Sequence, residues 1–260
     1  QPAEPGDAPT IELFNGSLSV AATGETIIFE WFITSFEDLS CTLDYGDGTS
    51  EAVPCVADTL QNATHSYAAE GFYTATLTAT NSNGSTEAKA FPTVANDDPN
   101  AFDIVVVFAN DLLTEGQRTA FQGAAERWGE VITSDLTSYQ SGGAVVPSNY
   151  SCFGEAGFNG FVDDLVISAS GQVIDGAGNI LASAGPCLFR PDGSNGDLAA
   201  LSVYGIMQFD VADLDNLEEN GGLFSTILHE MGHVLGIGTL WDDNGFLIDG
   251  EADGADPTDP

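Results

Sequence analysis

Two of the chain's three histidines, His229 and His233, stand four residues apart with Glu230 beside the first, inside the stretch TILHEMGHVLGIGTLW from Thr226 to Trp241. On a helix, side chains at i and i+4 leave the same face one turn apart. Two imidazoles so placed can converge on a single zinc ion. Glu230, one residue round the helix, can then reach a water on that zinc and act as its base. Phe224, Ile227, Leu228, Met231, Val234 and Leu235 recur at the helical period and predict an apolar stripe that seats the helix. The competing reading is a packed helix whose histidines merely satisfy polar neighbours.

The elements that must position this helix lie upstream. FDIVVVF, from Phe102 to Phe108, predicts a strand buried on both faces. Thr114 and Gln117 form a capping-box signature. They open a helix in which Phe121, Ala124, Ala125, Trp128, Val131 and Ile132 repeat at helical spacing, with Trp128 read as core. FVDDLVIS, from Phe161 to Ser168, predicts a second strand whose Asp163 and Asp164 interrupt the apolar pattern. Both fit calcium ligation, but a solvated strand face is preferred because acidic surface is this chain's habit. LSVYGIMQFD, from Leu201 to Asp210, predicts a third strand, followed by a short helix or turn over Asp213 to Glu219. The whole is a mixed α+β arrangement.

The first third of the chain reads differently. Residues 1–10 are rich in Pro, Gly and acid and predict a flexible lead. From Ile11 to about Val94, short alternating runs separated by turns such as YGDG and NSNG predict an all-β sandwich. NDDPN at 96–100 is a polar break, so a linker is placed at 96–101 and a second domain at 102–260. Four cysteines fall as one pair per half, Cys41 with Cys55 and Cys152 with Cys187. Neither has metal-knuckle spacing, so disulfides and an oxidising, extracellular or cell-surface setting are expected; reduced core thiols are the alternative. Sequons at Asn15, Asn62, Asn83 and Asn149 are candidate glycosylation sites.

Composition removes several function classes. Lys89, Arg118, Arg127 and Arg190 face 40 acidic residues, for a formal charge of −36. Such a chain repels nucleic-acid phosphates and anionic membranes alike. Self-repulsion of this size suits a salt-loving source, since screening shortens to about 3 Å at 1 M salt. An extracellular protein whose carboxylates collect calcium is a compatible reading. No run of 18 apolar residues is present, so no membrane insertion is expected.

Two resemblances sharpen these expectations. LDYGDGTS followed by HSYAAEGFYTATLTATNSNGS resembles a polycystic kidney disease (PKD) domain, with the Gly-Asp-Gly turn, His65 with Tyr67, and Gly71 with Tyr73 in the family's order. This implies an immunoglobulin-like sandwich used as an extracellular spacer or adhesion module, contacting matrix or cell surface, with His65 a turn residue. FDIVVVF, VDDLVISA, GIMQFDVADL and ILHEMGHVLGIGTLW, in that order, resemble the leishmanolysin-like metzincin zinc peptidases. The resemblance implies a zincin-type domain with His229 and His233 as zinc ligands and Glu230 as general base. It further implies Gly236 as the helix-ending turn, and the strand through Val203, Tyr204, Gly205, Ile206 and Met207 as the edge that holds a peptide or protein substrate. The common metzincin third His falls at Thr239, and no His or Met follows it. The expectation is therefore either an N-terminal part of a longer peptidase, a carboxylate ligand such as Asp242 or Asp243, or a non-catalytic adhesion or assembly protein. Zinc is the expected cofactor and calcium a second candidate. The residues from Asp242 onward are expected to form a solvated acidic tail.

Overall fold

A computed structural model describes residues 6–95, 101–136, 152, 162–190 and 201–241, with the backbone of 247–248 and 251–252. The chain forms two compact units that divide after Asp97.

The first unit is built from β1 (Thr10–Gly16), β2 (Val20–Ala21), β3 (Ile27–Thr34), β4 (Ser40–Asp44), β5 (Ser50–Val53), β6 (Gln61–His65), β7 (Gly71–Phe72), β8 (Ala75–Asn81), β9 (Gly84–Ala90) and β10 (Thr93–Val94). One antiparallel sheet has the order β1-β3-β6 and another the order β5-β4-β8-β9. A small third sheet, β2-β10-β7, pairs β10 parallel to β2. The alternation along β3 places Ile27, Phe29, Trp31 and Ile33 inward, where they share one core with Leu43, Ala75, Leu77 and Ala79. A disulfide joins Cys41 to Cys55, with Cα atoms 5.5 Å apart. The lead is tied down from Asp7, contrary to the flexible segment expected over its last residues. The Asp7 carbonyl accepts from the side-chain amides of Asn81 and Asn83, and the Pro9 carbonyl from Thr86 Oγ1 at 2.6 Å.

The YGDG turn is held by its own carboxylates. Asp44 Oδ1 accepts from the Gly46 amide at 2.8 Å, and Asp47 Oδ1 from the Thr49 amide at 2.9 Å. Asp47 Oδ2 lies 2.8 Å from His65 Nε2, and the His65 ring stacks 3.9 Å from Tyr45. His65 is thus built into the turn.

The second unit contains β11 (Ile104–Phe108), α1 (Glu115–Val131), β12 (Leu165–Gln172), β13 (Ala182–Phe189), β14 (Ser202–Asp210), α2 (Val211–Glu219) and α3 (Leu223–Leu235). Its sheet has the order β11-β12-β14-β13, with β11, β12 and β14 parallel and β13 antiparallel to β14. The capping box forms: Thr114 Oγ1 accepts from the Gln117 amide at 3.2 Å, and Gln117 Oε1 from the Thr114 amide at 3.0 Å. Phe121 carries α1 onto the sheet, edge-on to Phe108 and Phe209 with centroids 5.9 and 5.1 Å away. A second disulfide, Cys152 to Cys187, fastens to β13.

Three expectations for this unit change. The strand through Val203–Met207 is interior, between β12 and β13; β13 borders the sheet among the described residues. The burial patterns give the reason: β14 is buried at nearly every position, whereas β13 alternates and carries Pro186, which donates no ladder hydrogen bond. The strand expected at 161–168 begins at Leu165, so Asp163 and Asp164 precede it and are buried rather than solvated. Asp164 accepts from the Asp103 and Leu136 amides at 2.8 and 2.9 Å, and Arg190 donates to the carbonyls of both aspartates at 2.6 Å. Val131 is exposed because α1 ends there. Leu247–Ile248 pairs with Glu251–Ala252 inside the stretch expected as a solvated tail.

The Asp47 clasp sets an acid dependence. Burial raises the Asp47 carboxyl, but hydrogen bonds from Thr49 and His65 outweigh it and hold the group below its ordinary range. A depressed folded pKa adds stability that is complete above the unfolded value, near 3.9, and lost as pH falls through the folded one. The gap in melting temperature between the native chain and Asp47→Asn should therefore be widest above about pH 5 and close in acid. Thermal melts across that range check this; a gap independent of pH would contradict it.

Candidate metal centre

α3 is a helix with one apolar side. Leu223, Ile227, Met231 and Val234 are buried, and the helix packs against α1, β13 and β14. Phe224, expected in the stripe, is 43% exposed; it sits in the first turn of α3, two turns before buried Met231. Trp128, expected as core, is half-buried and joins the helices: its indole N–H donates to the Leu228 carbonyl at 3.2 Å. Its ring also lies beside Gly232, where an added Cβ would meet it at an ordinary contact distance of 3.6 Å. The residues before both histidines thus lie against Trp128 of α1, while His229 stays exposed and His233 and Glu230 half-exposed.

The C-terminal end of α3 shapes the site. Gly236 takes φ 103°, in the left-handed region, and an added Cβ would stand 2.8 Å from Leu240 Cδ1. Only glycine meets both demands. The chain folds back so that the Ile237 amide donates to the Gly232 carbonyl at 2.8 Å. The Ile237 carbonyl meanwhile faces His233 Nδ1 at 2.9 Å. A carbonyl only accepts, so Nδ1 carries the proton, and in the neutral ring Nε2 presents a bare lone pair.

That lone pair points at the Nε2 of His229. His233 Nε2 and His229 Nε2 are 3.1 Å apart, with the rings 84° from coplanar. Two nitrogens each about 2.1 Å from one tetrahedral zinc stand roughly 3.4 Å apart. The pair therefore fits a shared zinc with little movement. Glu230 lies between the two in sequence. Burial raises its carboxyl above the ordinary range, and the positive charge His233 and His229 can carry offsets only part of this.

Other sequence candidates fall differently. Asp242 and Asp243 lie outside the described residues. Thr239, at the common third-ligand position, turns its hydroxyl onto the His233 carbonyl at 2.6 Å. Among the described residues the clustered potential metal donors are Asp135, Asp163 and Asp164, within 4.8 Å of one another and apart from the histidine pair. Both Asp164 oxygens already accept backbone amides, so its carboxylate is committed to stitching the fold. Asn15, Asn62 and Asn83 are exposed, and Asn149 lies outside the described residues. The border strand β13 was the site element sequence reasoning missed; Pro186 and the alternating pattern of residues 182–189 were its signals.

Comparison with known proteins identifies the first unit. Residues 6–95 match the PKD domain family model, and this segment is a PKD domain. The PKD domain of a peptidase from a Thermoplasmatales archaeon is 19% identical, with 35% of this chain and 98% of that one covered and a TM-score of 0.32. A structure of carbohydrate-binding modules from the β-sandwich superfamily is 21% identical over 38% of this chain and 40% of that one, TM-score 0.32. An I-band fragment of titin is 14% identical over 40% of each chain, TM-score 0.28. No curated protein matches. The family match ends before β11.

Gly236→Ala should lower stability by about 2 kcal/mol, because the added methyl meets both a left-handed backbone and Leu240. Chemical denaturation checks this; an unchanged midpoint would show that the turn relaxes freely.

Proposed function

We propose that this chain is a secreted zinc-dependent metalloendopeptidase of leishmanolysin-like metzincin type, preceded by its PKD domain. The observation that carries the reading is the convergence of His229 Nε2 and His233 Nε2 at 3.1 Å on an accessible helix face, beside a half-buried Glu230. The PKD domain and the disulfides fit an extracellular setting. Among the described residues, no helix is long and apolar enough to cross a membrane.

His229 and His233 hold the metal through Nε2. When bound, zinc supplies a Lewis acid that lowers the pKa of water and polarises a scissile carbonyl. Ile237 keeps the His233 proton on Nδ1, so that ring stays a ligand rather than an acid. Glu230 takes a proton from the attacking water on its carboxylate and returns it to the leaving amine. An extended substrate pairs with the border of β13, which lies against α3, and gains backbone hydrogen bonds there. The third protein ligand comes from outside the described residues, with Asp242 and Asp243 as candidates within this chain.

Metal analysis and casein hydrolysis, run in about 1 M salt to screen the −36 charge, test the reading. One zinc per chain is expected, lost in His229→Ala. Glu230→Ala should keep the metal and lose cleavage by at least about 100-fold. A chain that takes up no zinc at saturation is instead a non-catalytic adhesion or assembly protein. Cleavage surviving in Glu230→Ala removes that residue from the mechanism.

A further inference from the structure

We infer that Thr239 is a positioning residue for the His233 ligand, an inference that rests on the zinc reading above. It occupies the place where the resemblance would put a third ligand, and its side chain does different work there. Thr239 Oγ1 donates to the His233 carbonyl at 2.6 Å. The same histidine gives its Nδ1 proton to the Ile237 carbonyl, two residues before Thr239. His233 is therefore gripped twice by one turn, at its backbone by Thr239 and at its ring by Ile237.

The turn needs such a lock. Gly236 and Gly238 both have positive φ, 103° and 82°, and glycine leaves the backbone between them free to take other conformations. Movement there would swing the Ile237 carbonyl away from Nδ1. The ring would then lose the bond that orients it and keeps Nε2 bare. Backbone bonds also cross the turn: Gly236 amide to His233 carbonyl at 3.2 Å, Ile237 amide to Gly232 carbonyl at 2.8 Å, and Leu240 amide to Gly236 carbonyl at 3.0 Å. Thr239 contributes a side-chain tie that spans both glycines, where the His233–Ile237 bond spans only Gly236. Its β-branch restricts χ1, so the tie loses little rotamer freedom on forming.

Thr239 is exposed, so removing its hydroxyl leaves no buried polar group stranded and the fold is expected to survive the change. The test compares Thr239→Val, which keeps shape but removes the donor, with Thr239→Ser, which keeps the donor. Zinc Kd is measured on the full chain by competition with a chelator, alongside the visible spectrum of the cobalt(II) form and the melting temperature without metal. Thr239→Val should weaken zinc binding by about 10-fold to 100-fold and alter the cobalt spectrum, at nearly unchanged metal-free melting temperature. Thr239→Ser should restore most of the affinity and the spectrum. Native-like zinc affinity in Thr239→Val overturns the inference, as does a loss that Thr239→Ser shares equally. Failure of the unaltered chain to bind zinc overturns the peptidase reading beneath it, a result visible before any variant is made.

Discussion

The second unit's candidate chemistry depends on one hydrogen bond, from His233 Nδ1 to the carbonyl of Ile237. It decides which nitrogen of the ring carries a proton, and so which is available as a ligand. That bond exists only because α3 stops at Gly236 and the chain doubles back within four residues. Without a glycine able to take φ 103°, the helix would run on and Ile237 would face elsewhere. A backbone conformation thus fixes a side-chain tautomer, and the tautomer fixes what the site can bind.

Behind the site, the fold uses its acidic residues in an unusual balance. With 4 basic residues against 40 acidic ones, cations are few. Three of the buried carboxylates meet backbone amides. Asp164 takes those of Asp103 and Leu136, Asp210 those of Ala212, Asp175 and Gly176, and Asp213 that of Gly178. Each ties a loop to the end of a strand or the start of a helix. Arg190, one of the few cations, is placed where it serves two carbonyls at once, those of Asp163 and Asp164. Amide donors are available wherever the chain turns, so an acid-rich sequence can still satisfy its interior.

The PKD domain applies the same economy to a turn. Asp44 and Asp47 order the YGDG segment through backbone amides, and His65 and Tyr45 stack over it. Tyr67 then donates its hydroxyl to the Tyr45 carbonyl at 2.9 Å and stacks on Tyr73 at 4.1 Å. Residues far apart in sequence are therefore fastened at one end of the sandwich by rings that also complete the core.

Local pattern made much of this legible in advance. The i, i+4 histidines, the Thr114–Gln117 box, the β-sandwich segment and the pairing of cysteines by half all follow from spacing, because helix pitch, capping and short loops are local properties. What spacing could not give was rank within a sheet and the direction of a buried charge. β14 as an edge is what the metzincin resemblance implies; its position depends on where β13 returns, a long-range pairing that no window of sequence contains. Asp163 and Asp164 read as solvated because acids usually are, and their burial depends on amides at Asp103 and Leu136, distant in the chain. The sequence alone determined which atoms could bind a metal. The tertiary structure decided that the two Nε2 atoms meet and that the one on His233 is bare, because only a folded turn can bring the Ile237 carbonyl to the far side of the His233 ring.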